Sequence, residues 1–167
     1  MVASNRKYLE EIFPQIPLGE SYSLLECDFY DTHHRYFNQI DDNYLSAINM
    51  TAEDLILKYN FQWPEFYTNA ALKAASTRSR PQEGINTWKD VNYEYLYYFG
   101  NSCSFLDTNG FKFFLTAAMY QYLTFPEKNY SFIDSFIYRL DSQLGKDHYV
   151  FNAPQKKFIE LFLKDNT

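Results

Sequence analysis

Apolar positions recur most regularly in DTNGFKFFLTAAMYQYL, residues 107–123, where Phe111, Phe114, Leu115, Ala118, Met119 and Tyr122 keep the three-and-four spacing of one helical face. The spacing predicts an amphipathic helix, with Asp107 placed to accept from its unpaired N-terminal N–H groups. Upstream, Tyr95, Leu96, Phe99 and Cys103 form a second stripe, and Gly100 marks an end or a bend. Downstream, Phe132, Ile133, Phe136, Ile137 and Leu140 predict a third helix, opened by Ser131 and stopped at Gly145. A fourth follows, with Asn152 as cap, Pro154 in its first turn, and Phe158, Ile159 and Phe162 on its apolar face.

The amino-terminal half is patterned less regularly. Tyr8, Leu9, Ile12 and Phe13 predict a short helix ended by Pro14, and Thr51 to Asp54 reads as a capping box opening a helix through Leu55, Ile56 and Tyr59. Ala70, Ala71, Ala74 and Ala75 give a small-residue stripe leading into STRSRPQEG, the longest loop-like stretch. SYSLLECDFY leaves room for one short strand or hairpin near residues 20–30. The expected fold is mainly α: a compact helical bundle of about six or seven helices, residues 1–167 forming one domain.

Composition changes this picture in two ways. Sixteen Tyr and sixteen Phe beside five Gly supply large, stiff side chains suited to a core and to contact surfaces, and make disorder a poor reading. The net charge of −6 is concentrated: from Glu20 to Glu65 nine acids face Arg35 and Lys58 alone, a local charge of −7. Such a surface repels phosphate backbones and attracts basic proteins, so nucleic acid is disfavoured as a partner. The opening residues contain no uninterrupted apolar run, and no stretch reaches the roughly 18 apolar residues of a membrane span. A cytoplasmic protein with no membrane partner is expected, with Cys27 and Cys103 as reduced thiols.

Candidate chemistry centres on ECDFYDTHHRYF, residues 26–37. On a helix His33 and His34 point about 100° apart, and on a strand they face opposite sides, so they cannot share one ion. No Walker loop, dinucleotide fingerprint or nucleophile elbow occurs, and Cys103 has no base at a predictable spacing. The reading is therefore no metal, no cofactor and no catalytic residue. Its alternatives are a small metal-assisted enzyme using the His33/His34 and carboxylate cluster, or a helical scaffold or regulatory module.

Residues 103–123 also carry a resemblance. Phe105, Leu106, Gly110, Phe111, Lys112, Phe113, Phe114, Leu115 and Ala117 fit the F-L-T-P-E-G-F-R-Y-Y-L-P-A-Y pattern of a family of small bacterial proteins catalogued only as a domain of unknown function. DTHHRYF, TWKDV and APQKKFIELFL are similar to further pieces of it, while Thr116 stands where that family commonly has proline. The family resembles immunity proteins that neutralise toxins passed between competing bacteria. The resemblance implies a helical fold and a cognate protein toxin as partner, and assigns no site residue. The acidic, aromatic-bearing surface itself suggests the contact residues for a basic toxin cleft: Glu26, Asp28, Tyr30, Asp31, Asp41 and Asp42.

Overall fold

The computed structural model describes residues 5–32, 40–61, 69–78 and 83–166. Among these, nine α-helices follow in order: α1 Arg6–Ile12, α2 Leu24–Thr32, α3 Asp42–Ile48, α4 Ala52–Lys58, α5 Asn69–Thr77, α6 Tyr93–Phe99, α7 Thr108–Thr124, α8 Ile133–Asp147 and α9 Ala153–Asn166. Three 3-10 segments, Trp88–Asp90, Gly100–Phe105 and His148–Val150, join the later helices, and no strand occurs among the described residues. The mainly α class is as the periodicity predicts, with more and shorter helices than expected.

Short polar side chains start most of these helices. Asn5, Asp41, Asn92 and Asp107 each accept from the backbone N–H three residues on, at 2.7–2.8 Å. Thr51 and Asp54 close the predicted reciprocal box, and Asn152 and Gln155 make an equivalent one ahead of α9. The same device removes the strand from residues 20–30. Ser23 N–H donates to Glu26 Oε1 and Glu26 N–H to Ser23 Oγ, both deep in the protein, so the chain turns helical at Leu24.

α7 is the central element. Phe111, Phe114, Leu115, Ala118 and Met119 are buried as its stripe predicts, but so are Phe113, Thr116, Ala117 and Gln121. It is covered by α1, α6, α8, Trp88–Asp90 and His148–Val150, and a helix enclosed on so many sides has little face left for water. Its buried Thr116 and Gln121 side chains are satisfied internally. Thr116 Oγ donates to the Lys112 carbonyl at 2.7 Å, so α7 runs unbroken where proline would remove an N–H. Gln121 Nε2 donates to Val91 O, and the buried Tyr130 hydroxyl lies 2.7 and 2.8 Å from the Gln121 and Phe125 carbonyls at the helix end.

Two helix boundaries differ from expectation. α8 opens at Ile133, after a turn in which Asn129, and not Ser131, supplies the side-chain acceptor. It also runs through Gly145 to Asp147, whose carboxylate takes both Nε and Nη2 of Arg139 at 2.9 Å. Gly100 has a different reason to be glycine: an added Cβ would sit 2.9 Å from Cβ of Phe132, so the 3-10 segment approaches α8 only without a side chain there.

Candidate functional site: an acidic face on α3 and α4

The six residues selected from the acidic stretch divide into three environments. Glu26 is 0% and Asp28 7% exposed, so neither belongs to an exposed contact face. The correction has a physical reason: Glu26 spends one oxygen on the Ser23 cap, and its other accepts from Arg78 Nε at 2.8 Å. Arg78 ends α5 in the left-handed region at φ 56°, where a non-glycine residue needs support. It finds support in Glu26, in the Glu20 carbonyl accepting from Nη2 at 3.0 Å, and in the Tyr22 ring, whose centroid is 3.9 Å from its guanidinium. Burial works against this guanidinium's charge, but the hydrogen bond and charge of Glu26 outweigh it and hold its pKa above the ordinary value.

Tyr30 is half-buried, edge-on to Tyr22 with centroids 5.5 Å apart and packed against Phe29. Burial pushes its phenol pKa up. It is partly buried against the hydrophobic core. Asp31 is exposed. His33 and His34, the heart of the metal reading, lie outside the described residues; among the described residues no group of three or more His, Cys, Asp or Glu is placed to hold a metal.

Asp41 and Asp42 open α3 and do different work. Asp41 Oδ1 caps the helix through Tyr44 N–H, whereas Asp42 points outward and pairs with Lys73 of α5. On α4, Glu53 and Asp54 are exposed; Asp54 accepts from the Thr51 backbone N–H at 2.9 Å, which lowers its pKa. α4 buries Ala52, Leu55 and Ile56 and turns Leu57 outward at 76% exposure. Leu57 follows Glu53 by one turn, so an acid and an unburied apolar side chain share a helix face. Ile48, at the end of α3, is a second exposed apolar side chain. Between the two helices, Asp42, Asn49, Thr51, Asp54 and Lys73 border a shallow groove of about 520 Å³ floored by Leu45 and Met50.

Glu53, one of the nine clustered acids, and Leu57 are not among the six contact residues that the sequence suggests, although Leu57 carries a signal. Leu57 falls off the Leu55, Ile56, Tyr59 stripe, which is how an exposed leucine looks in sequence. The tyrosines of α6 divide similarly: Tyr95 is buried, accepting from Leu25 N–H at 2.9 Å and donating to Glu83 at 3.0 Å, while Tyr97 is exposed.

The two cysteines are poor nucleophiles where they stand. Burial, followed by the nearby Glu26, pushes the Cys27 thiol up to about 12, and burial pushes Cys103 up to about 12 despite Arg139. Both stay protonated near neutrality. Compared with protein-family models, curated proteins and solved structures, the chain shows no match.

Proposed function

We propose that this protein is an immunity-type inhibitor that binds a basic protein toxin in the cytoplasm through the exposed face of α3 and α4. The observation that carries the reading is Leu57, exposed beside Glu53 on a helix whose other large apolar side chains are buried. Leaving a leucine in water forgoes roughly 1.5–3 kcal/mol of burial, which a partner covering it would recover. Around it Asp42, Glu53 and Asp54 supply the sign of charge that speeds encounter with a basic cleft. The contact set is therefore Asp42, Glu53 and Leu57, with Asp41 and Asp54 held to their helix caps, Glu26 and Asp28 buried, Tyr30 half-buried and Asp31 exposed on α2 outside this face.

The test is survival of cells that express a basic protein toxin encoded beside this protein's gene, as the proposal requires. Wild-type protein should protect, and the triple variant Asp42→Lys, Glu53→Lys, Leu57→Asp, which leaves both caps intact, should lose protection while keeping its helical circular dichroism. Equal protection by the folded variant would remove this face from the contact, and no protection by either protein would remove the inhibitor reading.

A further inference from the structure

A second concavity lies away from the acidic face, among residues used by neither the helix caps of α3 and α4 nor the proposed contact. It is a groove of about 720 Å³ between the Pro14–Ser21 loop, the first half of α7 and the turn from Tyr149 to Asn152. That volume is within the range of small-molecule sites, about 300–1,000 Å³. Its apolar lining includes Ile16, left 54% exposed at the rim, and Trp88 and Phe113 at its floor, and amides enter from Asn109 and Asn152.

Among the described residues one cation lines it. Lys112 is half-buried on α7, its Nζ donating to the Val150 carbonyl at 2.7 Å and lying 5.7 Å from the Phe151 ring centroid. No carboxylate among the described residues pairs with it, although burial already depresses its pKa. An ammonium carries three N–H donors, so two remain for another acceptor. A half-buried cation whose ammonium donates to a carbonyl and pairs with no carboxylate among the described residues is stabilised by an incoming anion, whose hydrogen bond is charge-assisted on both sides.

The same lining limits the charge of that anion. Asp107 and Glu20 also border the groove, and Asp107 accepts from Gly110 N–H at 2.7 Å and Ser21 Oγ at 3.0 Å. Two carboxylates bordering the same groove as one ammonium penalise a dianion more than a monoanion. We propose that the groove binds a small monocarboxylate with an apolar body, its carboxylate on Lys112 and its body against Ile16 and Trp88. This site is independent of the toxin-inhibitor reading and stands or falls without it.

Titration of the full chain with 3-phenylpropionate, followed by calorimetry and amide chemical shifts, tests the proposal. Saturable one-to-one binding is expected, with shifts centred on Ile16, Lys112 and Asn152. Affinity should fall at least about tenfold for the neutral 3-phenylpropanamide, for Lys112→Gln and for the rim variant Ile16→Asp, as expected for loss of a charge-assisted hydrogen bond or introduction of repulsion. Phenyl phosphate should bind more weakly than 3-phenylpropionate. If Lys112→Gln does not fold, the amide and the exposed Ile16 variant carry the test. Absence of saturable binding, equal affinity for acid and amide, indifference to Ile16→Asp, or tighter binding of phenyl phosphate would each overturn the assignment.

Discussion

Two ion pairs, one buried beside α7 and one on the surface between α3 and α5, show how similar charged groups serve opposite ends. Arg139 and Asp147 are 1% and 0% exposed, and the guanidinium is used on every side. Asp147 takes Nε and Nη2, the Cys103 and Leu106 carbonyls take Nη1 at 2.7 Å, and the Phe111 ring centroid lies 4.2 Å away. The planar fork thus pins α8 to the Gly100–Phe105 segment, a task for which a lysine point charge would not substitute. Asp42 and Lys73 make one contact, with the aspartate side chain 85% exposed. The first pair is part of the fold. The second leaves its acid available to water or to a partner.

The sharpest way to break the comparison is to remove one member of each pair. Arg139→Met strands a buried carboxylate and should cost about 3–5 kcal/mol in urea unfolding, with part of the loss recovered by adding Asp147→Leu. A loss below 1 kcal/mol would show that the buried pair is not a structural tie. The next effect is expected at high pH. Cys27 and Cys103 ionise near 12 in the folded protein but near 9 when exposed, so the unfolded state loses its protons first. Their contribution is fully present below about pH 8.5 and declines as pH rises toward 12. Stability measured across that window should fall, and a flat profile would show that the two thiols are not held protonated by burial. The smallest effect is at the surface: Lys73→Ala or Asp42→Ala should change stability by no more than about 1 kcal/mol, an exposed pair being weak and screened by salt.

Part of this division was legible in the sequence. Asp107, Asn152 and the Thr51–Asp54 box announce helix starts because capping acts over three residues, a range that a linear reading covers. SLLE at residues 23–26 is the same signal; it was hidden by the dense chemistry of ECDFYDTHHRYF, and recognising it assigns Glu26 to a cap and removes the strand. Pairing over long separations was not legible. Glu26 meets Arg78 and Arg139 meets the Cys103 carbonyl only once the helices pack, so charge density along the chain overstated the acidic surface by including Glu26 and Asp28. Gly145 read as a stop, but tertiary contacts around Asp147 carry α8 past it. The exposed face of α4 was legible in Leu57, the leucine outside its stripe, a signal about shape rather than charge.

The central claim is that the acidic, leucine-bearing face of α4 meets a basic partner. Its most direct test is the association rate and affinity of the proposed basic toxin, purified, for wild-type protein and for Leu57→Asp, measured by surface plasmon resonance across a salt series. The account predicts fast association that slows as salt rises, and a loss of affinity of about tenfold or more in the variant, carried by faster dissociation. Association insensitive to salt, together with unchanged affinity in Leu57→Asp, would contradict it.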